Sequence, residues 1–123
     1  MFGDKPEEAK EPIVQLPKVF IPSLFISGLN MPECEQYLVN KTRFTIGSGA
    51  DNDCIIDYPS LGLSRNHCVI EYEDEDGYAL TDQNSTNGTF VNGKRILSGV
   101  KTRIKGGDQI RLGISVFEVN EIA

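Results

Sequence analysis

With 123 residues, 39% hydrophobic and 24% charged, the chain has the size and make-up of one folded domain. Its formal net charge of −6 argues against a general nucleic-acid binder, which needs a basic face. No stretch approaches the ~18 apolar residues of a membrane helix, and the charged residues 1–10 lack the apolar core of a secretory signal. The expectation is a monomer in the cytoplasm, or in a nucleus where there is one, with no membrane partner.

In chain order, residues 1–18 read as a flexible tail, with Pro6, Pro12 and Pro17 among Lys and Glu. Residues 19–123 read as one β domain. Short apolar runs predict strands over 24–27, 36–39, 43–46, 54–56, 68–72, 78–82, 89–91, 102–104, 109–112 and 115–119. Turn residues separate them. Asn92-Gly93, between 89–91 and 94–96, predicts a tight hairpin because Asn and Gly tolerate positive φ. No sustained helical period appears, so no helix longer than a turn is expected. So many short strands imply a sandwich or barrel. The cysteines, Cys34, Cys54 and Cys68, form no C-x-x-C pair, and with a single histidine no metal site is implied. Cys68 reads as a small core residue.

Chemistry has few places to reside. There is no phosphate-loop, dinucleotide or H-E-x-x-H motif. Ser64 and His67 are three apart, with no helix to make them a catalytic pair, so an enzyme is not expected. Three polar clusters remain at strand ends: Ile46-Gly47-Ser48-Gly49, Leu63-Ser64-Arg65-Asn66-His67, and the run from Asn84 to Gly93. Each by itself could be only a turn. Strand direction changes that reading. The strand from Cys68 runs away from the second cluster, and the strand from Tyr78 runs back to the third, so the two should lie side by side. Ser64 and Thr86 hydroxyls, the Arg65 guanidinium, the Asn87 amide and exposed turn N–H groups would then converge. That inventory suits a phosphate or a peptide backbone. The acidic tip from Glu71 to Asp76, at the far end, reads as a solvated turn.

Seven blocks in order carry a family resemblance. They are Phe44-Thr45-Ile46-Gly47, Asn52-Asp53-Cys54-Ile55-Ile56, Leu63-Ser64-Arg65-Asn66-His67-Cys68-Val69-Ile70, Leu80-Thr81-Asp82, the Ser85 to Gly93 run, Gly107-Asp108-Gln109-Ile110 and Leu112-Gly113. Together, over residues 22–120, they closely resemble the forkhead-associated (FHA) domain. The resemblance implies an all-β sandwich of about eleven strands in two twisted, mostly antiparallel sheets. It implies binding of a phosphothreonine in a partner protein, with no cofactor. By position, Ser64 and Arg65 would contact the phosphate, Thr86 the phosphothreonine or the residue after it, and Asn87 the peptide backbone. The loop 49–52 would shape the groove. Gly47 would allow a tight turn, His67 would brace the loops, and Gly88, Asn92 and Gly93 would be architectural. One position departs from the pattern: after the first glycine the family usually carries a phosphate-binding Arg, and here it is Ser48. The departure keeps a second reading open, an FHA-fold scaffold that binds partners without phosphate. Lys41, Arg43, Lys94 and Arg95 are the nearby candidate cations to lend the missing charge.

Overall fold

Buried and exposed side chains alternate along most strands of the computed structural model, which describes residues 19–31 and 35–122. The expected tail and Cys34 lie outside the described residues. The strands are β1 (Leu24–Gly28), β2 (Gln36–Leu38), β3 (Arg43–Gly47), β4 (Cys54–Ile55), β5 (Cys68–Tyr72), β6 (Tyr78–Asp82), β7 (Thr89–Val91), β8 (Lys94–Arg95), β9 (Thr102–Ile104), β10 (Gln109–Leu112) and β11 (Ser115–Glu121). They form the expected two-sheet sandwich of eleven strands. The only helical pieces are 3₁₀ turns at Pro59–Leu61 and Asp74–Asp76, among the described residues.

One sheet has the order β2-β1-β11-β10-β7-β8 and the other β4-β3-β5-β6-β9. All pairings are antiparallel except β3 with β4. Period-two alternation turns one face of each sheet inward. Ile26, Ile110, Leu112, Phe117 and Val119 from the first sheet meet Phe44, Ile46, Ile70 and Leu80 from the second, and Cys54 and Cys68 fill small gaps in that layer. β11 outruns its expected end because it pairs along the whole of β1, from Gly28↔Phe117 to Leu24↔Glu121. β8 ends before Ile96, although the Ile96 N–H still donates to Thr89 O at 2.9 Å.

The topology sorts the loops between two ends. At one end lie the end of β3, the start of β5, the end of β6, the start of β7 and the β10–β11 turn. At the other lie the β5–β6 tip and the paired residues Leu24 and Glu121. Asp74, Glu75 and Asp76 of that tip are exposed, as expected of a solvated turn, while Glu73 at its base pairs with Lys101 and, at 2.6 Å, with Arg103. Lys101, then Arg103, hold its carboxyl below the usual carboxylate range. The Asn92-Gly93 hairpin turns as expected, with φ of 49° and 86°. It sits at the far end with the tip, where Asn92 Nδ2 donates to Asp108 Oδ1 at 3.0 Å.

Candidate functional site

The first two clusters meet because β3 and β5 are antiparallel neighbours, with Ile46 opposite Cys68. Beyond that pair the loops are tied backbone to backbone. Ser48 N–H donates to Ser64 O and Gly49 N–H to Arg65 O, both at 3.0 Å. Gly47 serves this approach and not a tight turn. It is the last residue of β3, has no positive φ, and a Cβ there would stand 2.1 Å from Arg65 O. Gly49 plays a related part, since its missing Cβ leaves room for the Arg65 stem, whose Cγ would be 2.5 Å away. Asn52 locks the junction from beneath, donating to Arg65 O at 2.7 Å and Gly49 O at 2.9 Å.

The third cluster is built on Asp82, at the end of β6. Its carboxylate accepts from the Ser85 hydroxyl and N–H and from Thr89 Oγ1 at 2.6 Å, while Ser85 Oγ accepts from Gly88 N–H at 3.0 Å. Burial pushes the Asp82 carboxyl up, but these hydrogen bonds outweigh it and hold the group below its ordinary value. The loop so formed is stitched to the second cluster at three points. Thr86 N–H donates to Ser64 Oγ at 2.9 Å, Asn87 Nδ2 donates to Gly62 O at 2.9 Å, and His67 Nε2 donates to Gly88 O at 2.9 Å. His67 is fully buried, and its Nδ1 accepts from Ser64 N–H at 3.0 Å. That pattern selects the neutral Nε2–H tautomer. Burial holds the imidazole pKa below its ordinary value, partly offset by the Gly88 bond and the Asp82 charge.

All five expected contact residues, Ser48, Ser64, Arg65, Thr86 and Asn87, therefore gather on one rim. His67 braces it, and Gly88, at φ of 88°, shapes it. Asn92 and Gly93 stand at the other end. The expected supply of turn N–H groups is smaller than the sequence suggests, because those of Ser48, Gly49, Ser64, Thr86 and Gly88 are already bonded within the domain. What remains uncommitted among the described residues is specific: the hydrogens of the Ser48, Ser64 and Thr86 hydroxyls, the exposed Arg65 guanidinium, the Arg65 and Asn87 N–H groups, and Asn87 Oδ1. These are donors for an anion flanked by atoms that can pair with a peptide backbone. Among the alternative cations, Lys41 is engaged with Asp53 at 2.7 Å, and Arg43 is at the opposite end of β3 from Ser48. Lys94 and Arg95 belong to the other sheet. Asn52 ends the loop expected to shape the groove, but its bracing role, and those of Asp82, Ser85 and Thr89, escape a reading from sequence. The Asp82-x-x-Ser85 spacing, an acceptor three residues before a hydroxyl and an N–H, was the available signal.

Comparison with known proteins agrees with this architecture. The sequence model of the FHA domain matches residues 44–113. The human Angiogenic factor with G patch and FHA domains 1 is 34% identical over 85% of this chain and 14% of its own length. The Dictyostelium discoideum Probable serine/threonine-protein kinase fhkA is 36% identical over 65% of this chain and 15% of its own length. The chain thus spans about a seventh of these curated relatives. Among solved structures, one from a structural and functional analysis of phosphothreonine-dependent FHA domain interactions superposes with a TM-score of 0.68. It is 31% identical and covers 80% of this chain and 95% of that one. Mycobacterium tuberculosis EmbR, solved in complex with a low-affinity phosphopeptide, superposes with a TM-score of 0.69 at 27% identity, over 83% of this chain and 25% of that one. With a matched family model over more than half its length and the fold in agreement, the chain belongs to the FHA domain family.

Proposed function

We propose that this domain is a protein-interaction module that captures a phosphothreonine of a partner protein on the rim formed by Ser48, Ser64, Arg65, Thr86 and Asn87. The observation that carries it is the state of Ser64. Its Oγ already accepts the Thr86 N–H, so its own hydrogen is left to donate, beside a guanidinium with no carboxylate partner among the described residues. The Arg65 fork and N–H add charge-assisted and neutral bonds to the same oxyanion. Asn87, held through one N–H by Gly62 O, presents Oδ1 to a peptide N–H. The site binds and performs no bond chemistry. Its one histidine has both ring nitrogens committed to backbone groups, and it faces the Ser64 N–H, not the Ser64 hydroxyl. The free, buried Cys54 and Cys68 suit a reducing compartment, cytoplasmic or nuclear.

Ser48 favours a second reading, a scaffold that docks partners without phosphate. Both are tested by measuring binding of a degenerate phosphothreonine library against its phosphoserine and unphosphorylated versions, with Ser64→Ala and Arg65→Ala as controls. The module reading expects phosphate-dependent binding that both substitutions weaken. Equal binding of plain and phosphorylated peptides would establish the scaffold instead.

A further inference from the structure

On the outer face of the six-stranded sheet, Arg95 of β8, Phe90 of β7 and Arg111 of β10 stand in one cross-strand row, since Phe90 pairs with both. The Arg111 guanidinium carbon lies 3.6 Å from the Phe90 ring centroid and that of Arg95 lies 6.0 Å from it. Arg111 is further fixed by its Nη1 bond to Gly113 O at 2.7 Å. Arg95 is seated by glycine: a Cβ on Gly88 would stand 2.8 Å from its Nε. Neither cation pairs with a carboxylate among the described residues. In a chain with net charge −6, two guanidinium groups are thus held in place next to the rim, with no carboxylate partner among the described residues. They stand on the six-stranded sheet, whereas Ser48, Ser64 and Arg65 lie in the loops that follow β3 and precede β5 of the five-stranded sheet, with Asn87-Gly88 leading into β7 between them.

We propose that Arg95 and Arg111 form a second, anion-selective subsite that takes an acidic side chain (aspartate, glutamate or a further phosphorylated residue) of the phosphothreonine-bearing partner. The inference rests on the phosphothreonine reading above. The one Phe90 ring lies under Arg111 and borders Arg95, which leaves the Arg95 edge and the Arg111 N–H groups not bonded to Gly113 O free to grip a carboxylate or phosphate in the plane of the fork. Because both groups are pre-positioned, little side-chain freedom is lost when the anion arrives.

The test walks glutamate through each flanking position of a binding phosphothreonine peptide and measures affinity for the native domain, Arg95→Gln, Arg111→Gln and Arg65→Ala, with melting curves for each. The expected result is one position where glutamate tightens binding about tenfold, as a charge-assisted pair does. That gain should shrink in 1 M salt and vanish in Arg95→Gln, while binding of the all-alanine-flanked phosphopeptide is kept. Arg95 is exposed, so its variant carries the test even if Arg111→Gln unfolds. A gain that survives Arg95→Gln, or no gain at any position while Arg65→Ala still abolishes binding, overturns the subsite alone. Absence of phosphopeptide binding in the native domain overturns both readings together.

Discussion

A hydroxyl at Ser48 stands where the family usually carries a guanidinium, and the consequence can be sized. A charge-assisted hydrogen bond contributes about 1.5–3 kcal/mol, so its loss weakens phosphate binding about ten- to a hundredfold. Ser48→Arg is therefore expected to tighten phosphopeptide binding by that factor in calorimetric titration, with the gain reduced by salt. Unchanged or weaker binding would mean that Ser48 does not adjoin the phosphate. His67 carries the other prediction at this scale. His67→Ala leaves the part-buried Ser64 N–H without its acceptor and removes one of the two donors to Gly88 O, which keeps the Gly113 N–H at 3.1 Å. An orphaned group costs about 1–3 kcal/mol, and the lost ring leaves a cavity besides, so thermal unfolding should drop by several degrees. The neutral ring is the form the fold requires, and its folded pKa lies below the ordinary 6.5. The unfolded chain thus binds the extra proton first. Stability from this group is full above about 6.5 and is lost as pH falls through the folded value. Chemical denaturation at stepped pH, native against His67→Gln, should show that loss only in the native domain.

At the scale of loops and strands, the site depends on how closely two backbones approach. Gly47→Ala would drive a methyl group against Arg65 O, a main-chain atom that cannot swing aside. Overpacking of this kind costs about 1–3 kcal/mol, and relief by parting the loops would break the Gly49–Arg65 tie. Lower melting temperature together with weaker phosphopeptide binding is expected; a melting curve like that of the native domain would refute the close approach. Asp82→Asn should act on the other loop, since an amide cannot accept the Ser85 and Thr89 bonds on both arms. A loss of about 1–3 kcal/mol in denaturant unfolding is expected. These elements also show what the sequence makes legible. Asn92-Gly93 and the strand directions could be read because turn chemistry and period-two patterning are local. The parts played by Gly47, Asn52 and Asp82 could not, because each depends on a distance between segments far apart in sequence. The same blindness made the turn N–H groups look available when most were already bonded.

Taken whole, the sandwich follows from its alternating strands, and nearly every strand fell within a residue or two of its expected place. Its sheet order did not. β1 pairing with β11, and β7 with β10, are long-range choices set by which faces must share one core. Leu24 and Glu121 pair at the end opposite the rim, so β1 begins and β11 ends there. The backbone ties between those loops have a kinetic meaning. Ser48 to Ser64, Gly49 to Arg65 and Thr86 to Ser64 are closed before any guest arrives. Among the described rim loops, these ties leave none to be closed by the guest. Encounter with a phosphopeptide should then be a single step, with stopped-flow traces that are single exponentials whose rates rise linearly with peptide concentration and never reach a plateau.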